Sequence, residues 1–390
     1  MFLRKVILPS LFLLGSMARG QFQEVQVAVL YDRSITAATL IGSKGPITVM
    51  ADGRIVGELA PNDGLRIELK GGTLSARTLS GSYTARTKLT LVPRMKDGGV
   101  RLRPSVPKLS EHVYPGVIEV RIINGRLRFV NEARLEDYVA GVVQSEAGSD
   151  KPEEYYKLQA VSCRTYALAN ARKHEGEGFE LCDQVHCQVY HGRADIPLIH
   201  AAVQETRGMV VVDANIRLIH ATFHSNCGGE TMNAEDVWSK AEPYLQGTVD
   251  TFCLAQPHAT WRRSIGKAQW LNYLASTYGL RLDDKDAVRE VLDQNPRCRE
   301  LYLTARRPLI PLKQVRDDWK LNSTYFFIHA EGDSVVFDGR GFGHGVGLCQ
   351  EGAMEMARDG YDFNDILHHY YRDVHLIDLG NLEFFREDGP

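Results

Sequence analysis

The chain has 390 residues, of which 44% are hydrophobic and 24% charged, a normal globular balance with room for two or three domains. With 46 basic and 49 acidic side chains its formal net charge is -3. Such a charge offers no electrostatic basis for binding nucleic acid or an anionic membrane surface.

Residues 1–20 read as a secretory signal peptide: a basic start (MFLRK), a short apolar core (VILPSLFLL), then small residues with Ser16 and Ala18 in A-x-A-like positions. The apolar run, about nine residues, falls well short of the roughly 20 that a membrane helix needs. The expectation is an exported protein of the periplasm, the cell envelope or the medium.

Residues 21–110 alternate short apolar and polar runs (VQVAVL, GPITVM, GLRIELK, KLTLVP) between Gly, Asp and Asn turns, which predicts an all-β accessory region. MKDGGVRLRPSVPKL, at its end, mixes Gly, Pro and charge and reads as a linker. GVIEVRIINGRLRFVN then gives two strands about an Asn-Gly turn.

The period changes after that hairpin. Leu135, Tyr138, Val139, Val142 and Val143 recur at helical spacing, and Gly148 is a natural stop. Pro152, Glu153 and Glu154 start a second helix expected to run to about Lys173. Further strands are predicted in GMVVVDANIRLIHATFHS, LYLTARR and TYFFIHAEGDSVVFDG, with a helical stretch over 267–293 and a helix in QEGAMEMARDG. The fold class expected is α+β, with residues 111–380 forming one continuous unit behind the β region.

Glu146 lies 11 residues after Leu135, which at about 100° per residue returns it to the apolar side of its helix. A carboxyl group so placed is partly desolvated and sits where the helix dipole disfavours negative charge, and both effects favour the protonated acid. These are the requirements of a general acid for glycosidic cleavage. A frayed last turn, with Glu146 solvated or paired to Arg164, is the plainer reading of the same pattern.

Seven cysteines in a chain of this size make no dense disulfide framework, and the odd number leaves at least one thiol free, metal-bound or paired between chains. Cys182, His186 and Cys187, with His174 eight residues before Cys182, form a tight cluster of soft ligands. Zinc accepts that donor set. The spacing is not that of a standard finger, so a disulfide or ordinary buried thiols stay open beside a metal.

GRGFGHGVGLCQEGA, residues 339–353, has glycine at every second position from Gly339 to Gly347 around a single histidine, His344. The dinucleotide pattern G-x-G-x-x-G fails at Val346, and no Gly-Lys-Ser/Thr follows for a P-loop, so a nucleotide is excluded.

Several blocks together resemble one family, the stage II sporulation protein D and amidase-enhancer proteins of the bacterial cell wall. They are EDYVAGVVQSEA, LQAVSCRTYALAN, LCDQVHCQVYHG, ATFHSNCGGETMNAEDVWSKAEPYL, LNSTYFFI and the glycine block running into DFNDILHHYY, in order. The resemblance spans residues from about 111 to 378 and implies a lytic transglycosylase acting on peptidoglycan strands stripped of stem peptides. Glu146 stands at the family's essential acid. The chemistry then needs no cofactor, and a structural zinc is implied at Cys182, His186 and Cys187, with His174 as the fourth candidate. Two departures stand out: Cys349 occupies a position where serine is common, and the N-terminal strands lie outside the matched blocks.

On this reading the glycines form a groove floor against which an uncharged sugar chain lies, with His344 and Gln350 hydrogen-bonding its hydroxyl or acetamido groups. A tight structural loop is the alternative. Arg164, Tyr166, Gln188, Tyr190, Ser225, Asn226, Gly228, Gly229, Trp238 and Gly343 are expected to complete the substrate site, Trp238 by stacking on a sugar ring. A glycoside hydrolase would require a second carboxylate, for which Asp137, Asp183, Glu230 and Glu351 are candidates. The chief rival is a non-catalytic glycan-binding protein that activates an N-acetylmuramoyl-L-alanine amidase. A structural envelope protein is a third class, and no protease-like signature surrounds any cysteine.

Overall fold

The computed structural model describes residues 24–381, so the expected signal peptide lies outside the described residues. The chain divides into two compact units, one of 24–28 with 33–135 and the other of 29–32 with 136 onward. The fold class is α+β with an N-terminal β region.

Two sheets make up the first unit. One places Glu24–Val29, Arg126–Arg134, Val117–Ile123, Lys88–Pro93, Ile47–Ala51 and Arg54–Leu59 side by side; the other orders His112–Pro115, Gly99–Val106, Ala37–Gly42, Gly64–Lys70, Thr73–Arg77 and Ser82–Ala85. Period-2 patterning explains their core, since Leu89 and Leu91 of one strand and Ile47 and Val49 of its neighbour are all fully buried. The Asn-Gly turn is as expected: Asn124 and Gly125 both take positive φ, and Ile123 pairs with Arg126 across it. The expected linker at 95–109 is instead the strand Gly99–Val106, because Val100 and Leu102 alternate into the core and outweigh the Gly, Pro and charge around them. Pro104 is accommodated where the pairing register shifts at Ala37/Ala38.

Helices α1 (Leu135–Ala147) and α2 (Glu153–Ala169) form the expected helical hairpin. Gly148 takes φ +69° and donates its N–H to the Gln144 carbonyl at 3.0 Å, closing α1. Eleven of the 17 residues of α2 are buried, so it is a central element of the second unit and not a one-sided surface helix. It ends at Ala169, short of Lys173.

α3 (Pro197–Glu205), α4 (Ala234–Trp238), α5 (Lys267–Tyr278), α6 (Lys285–Glu290), α7 (Leu312–Trp319), α8 (Gln350–Arg358) and α9 (Phe363–Tyr370) follow. The helical stretch expected over 267–293 breaks at Gly279, which adopts φ +71°, and Asp284 then caps α6 by accepting the N–H groups of Asp286 and Ala287. The strand expected at 301–307 is irregular, retaining only a bridge between Tyr302 and Pro311. Thr260–Gly266, Ser334–Arg340 and Tyr325–Glu331 form a sheet, and Trp270, Leu274, Val291, Val315 and Phe337 belong to the core built on it. A short parallel pair, Phe223–His224 with Leu348–Cys349, leads directly into α8 and sets one wall of the site.

Candidate active site

The last turn of α1 pins a neighbouring loop through three consecutive side chains. The Gln144 amide oxygen accepts the N–H groups of Asp195 and Ile196, Ser145 Oγ accepts that of His191 at 3.0 Å, and Glu146 Oε1 accepts that of Val189 at 2.7 Å. Glu146 is thereby held by one carboxylate oxygen while half-buried. Burial raises its pKa above the usual glutamate range, and the Val189 hydrogen bond opposes that rise.

Glu146 lines a cavity of about 520 Å³, together with Tyr166, Lys173, residues 185–188, residues 221–225, Trp238, His344 and Gln350. Among the described residues lining it, Glu146 is the one carboxylate. Four further side chains there hold a buried polar atom without a hydrogen-bond partner: Gln188 Nε2, Thr222 Oγ1, His224 Nε2 and Gln350 Nε2. Apart from Glu146 and Lys173, the polar side chains of the lining are mainly hydroxyl, amide and imidazole groups, a set that suits a hydroxyl-rich ligand. Trp238 is 42% exposed, with its ring 5.1 Å from that of His344.

Tyr166, Gln188, Ser225, Trp238, His344 and Gln350 are therefore brought together with Glu146. The histidine differs from expectation in its chemistry. His344 Nε2 lies 3.0 Å from the Phe223 carbonyl and Nδ1 accepts the Val346 N–H at 3.1 Å, so both nitrogens are spent on the backbone and only the ring faces a ligand. Burial lowers its pKa to about 4 and keeps it neutral.

Other expected contacts lie elsewhere. Arg164 is fully buried and neither orients Glu146 nor lines the cavity: its guanidinium pairs with Glu136 at 2.6 Å and donates to the Met209 carbonyl. Tyr190 packs in the core on Tyr138, ring centroids 4.9 Å apart. Asn226 is buried and bound to Glu351, the Cys253 carbonyl and the Gly228 N–H. Gly228 takes φ +73° with the Arg340–Gly341 backbone against it, and Gly229 faces Leu254. Neither glycine lines the cavity.

The glycine run is likewise not the floor of the groove. A Cβ on Gly343 would lie 2.7 Å from His224 Cβ, and one on Gly347 would lie 2.4 Å from the Thr222 carbonyl. The glycines let this loop pack against the 222–224 strand, which in turn places His344 in the cavity wall. The candidate second carboxylates are also committed elsewhere: Asp183 accepts the Leu30 and Tyr31 N–H groups, Glu230 the Arg299 N–H, and Glu351 the Asn226 amide and His258. Asp137 is not among the cavity-lining residues.

The ligand atoms of His174, Cys182, His186 and Cys187 all lie within 4.8 Å of one another. His174 Nδ1 is 2.7 Å from Glu177 Oε1, and its Nε2 is buried without a hydrogen-bond partner. A carboxylate behind the imidazole is the arrangement that orients a metal-ligating histidine. His186 Nδ1 sits 3.8 Å from Cys182 Sγ and 3.9 Å from Cys187 Sγ. The hydrogen bond between the two thiols pulls Cys187 down to about 7 and pushes Cys182 up to about 12. These residues fit a structural zinc.

Known proteins bear out the likeness read from the blocks. The SpoIID family profile, "Stage II sporulation protein", matches residues 123–212. An uncharacterized protein of Brachyspira hyodysenteriae is 33% identical over 277 residues, 67% of this chain and 72% of that protein. The chain belongs to the stage II sporulation protein D family. The stage II sporulation protein D of Bacillus subtilis is 29% identical, across 69% of this chain and 82% of that protein. The amidase enhancer of the same organism is 25% identical, but the match covers only 39% of its length.

His224, Thr222 and Lys173 also line the cavity and are not among the site residues expected from the sequence. His224 Nδ1 lies 3.2 Å from the Val346 carbonyl, which requires the proton on Nδ1 and leaves Nε2 a buried acceptor without a partner, on a residue that lines the cavity. Its position one residue before Ser225 was the available signal.

Proposed function

We propose that the chain is a peptidoglycan lytic transglycosylase with Glu146 as its general acid and base. The observation that carries this reading is a lone desolvated carboxyl group in a cavity whose other polar side chains, apart from Lys173, are uncharged. A hydrolase with two carboxylates would need a partner that the lining does not offer. Protonated Glu146 donates its proton to the oxygen linking N-acetylmuramic acid to N-acetylglucosamine as the C1–O bond breaks. The muramic C6 hydroxyl then attacks C1 and returns its proton to Glu146, giving a 1,6-anhydro end. No external water or cofactor enters the balance.

The largely uncharged polar wall and the exposed Trp238 suit a glycan strand stripped of stem peptides. In this reading the protein is exported, as access to the cell wall requires. A zinc held by His174, Cys182, His186 and Cys187 would be structural. It would rigidify the loop that carries Gln188 and the Val189 N–H, and so the bond to Glu146.

The relative named amidase enhancer favours one second reading, a glycan-binding protein that stimulates an amidase. Purified denuded glycan strands incubated with the chain and resolved by mass spectrometry decide between them. Anhydro-muramic ends are expected. Reducing ends would indicate a hydrolase, and binding without cleavage would favour the amidase partner.

A further inference from the structure

The second unit contains another convergence of soft ligands, away from the cavity. Cys227, Cys253 and Cys349 are fully buried with Asp250, and one ligand atom of each lies within 4.8 Å of all the others. Cys227 Sγ is 3.4 Å from Cys253 Sγ and 3.3 Å from Asp250 Oδ2. With zinc–sulfur bonds of about 2.3 Å and zinc–oxygen bonds of about 2.1 Å, a tetrahedral site has S···S edges of about 3.8 Å and S···O edges of about 3.6 Å. These two edges are within a few tenths of an ångström of that size, and the remaining ones lie within 4.8 Å.

From this geometry we infer a second metal site, a closed Cys227–Asp250–Cys253–Cys349 set for zinc or a similarly soft divalent cation. Three thiolates and a carboxylate select such an ion over magnesium or calcium. Four protein ligands with no solvent access make the site structural and not catalytic.

Donors from the surrounding chain reach the cluster. The Cys227 N–H donates to Cys349 Sγ at 3.2 Å. Asp250 accepts the Phe252 N–H and the Tyr370 hydroxyl, each at 3.0 Å. Arg299 brings a half-buried positive charge and donates to the Cys227 carbonyl at 2.5 Å. These partners orient the ligands and offset the negative charge that three thiolates and a carboxylate leave around a divalent ion. Space is also kept clear: a Cβ on Gly352 would lie 2.3 Å from Asp250 Oδ2.

The four ligands come from three segments, one of which is the start of α8. Cys227 lies two residues after Ser225 and Cys349 immediately before Gln350, and both of those neighbours line the cavity. A bound ion would therefore clamp two walls of the catalytic cavity together from behind.

The test uses the full chain, purified with reductant, stripped by chelator, loaded with zinc or cobalt and analysed by elemental mass spectrometry. Cys182→Ser/Cys187→Ser is expected to keep one equivalent of metal, and its cobalt form to show thiolate charge-transfer absorption. Adding the isosteric Cys349→Ser should remove that equivalent while circular dichroism shows a folded chain. Should the double variant not fold, differential alkylation of the wild-type chain provides the same answer: Cys227 and Cys349 become labelled only when chelator is present. Absence of metal in the double variant, its retention after Cys349→Ser, chelator-independent labelling, or a Cys227–Cys253 disulfide in peptide maps would each overturn the site.

Discussion

Glu146 Oε1 accepts the Val189 N–H at 2.7 Å, and this single bond ties the acid on the last turn of α1 to the loop that follows the His174, Cys182, His186 and Cys187 cluster. It fixes one oxygen of the carboxyl group and leaves the other to exchange a proton. Glu146→Gln keeps an oxygen for Val189 but has no proton to donate. Cleavage of denuded glycan should fall by roughly 10²- to 10⁴-fold, with glycan binding in pull-down assays retained. Unchanged turnover would remove Glu146 from the chemistry.

The pH profile should carry the signature of a raised carboxyl pKa. The proposed mechanism begins from protonated Glu146, and burial extends its protonated range above that of ordinary glutamate. kcat/KM is expected to be highest at acidic pH and to decline as pH rises through the raised value. A decline already complete at the usual glutamate pKa, about 4.3, would contradict the desolvated environment.

His344 and stability are linked with the opposite sign. Its pKa drops from 6.5 to about 4 on folding, so its contribution to stability is complete above pH 6.5 and is lost as pH falls toward 4. The loss is at most about 3 kcal/mol by the linkage relation. Thermal unfolding across this window should show a smaller decline in His344→Asn than in wild type.

Arg164→Leu separates structure from catalysis. The substitution leaves Glu136 without its buried partner, at an expected cost of about 3–5 kcal/mol. The melting temperature should fall sharply. Below the transition, KM and kcat for glycan should match wild type, because Arg164 lies outside the cavity.

Trp238→Ala is the converse. The side chain is 42% exposed, so stability should change by only about 0.5 kcal/mol or less. Loss of a stacking surface worth about 0.5–1.5 kcal/mol should raise KM by roughly 2- to 12-fold. Calorimetric titration with glycan fragments would measure that change directly.

Local pattern made much of the fold legible. The Asn124–Gly125 hairpin, the α1–α2 pair and the orientation of Glu146 all follow from periodicity and turn chemistry operating over a few residues. The strand at Gly99–Val106 was hidden because its prolines and charges resemble a linker, and only pairing with its neighbours in the sheet reveals the buried Val100 and Leu102. α5 and α6 look continuous because a glycine's left-handed turn is invisible to hydrophobic spacing.

By itself, the sequence determined the α+β class, the family likeness, the placement of Glu146 on the apolar side of its helix and the four-residue cluster of soft ligands. Each rests on residue type and short-range spacing. Only the tertiary structure decided which polar groups face the cavity. Arg164 is drawn to Glu136, Asn226 to Glu351 and both nitrogens of His344 to backbone atoms, while Gln188, Thr222, His224 and Gln350 in the lining each keep a polar atom unpaired. The physical reason is that a buried polar side chain is claimed by whichever donor or acceptor the fold brings within about 3 Å, and those partners are often a hundred residues away along the chain.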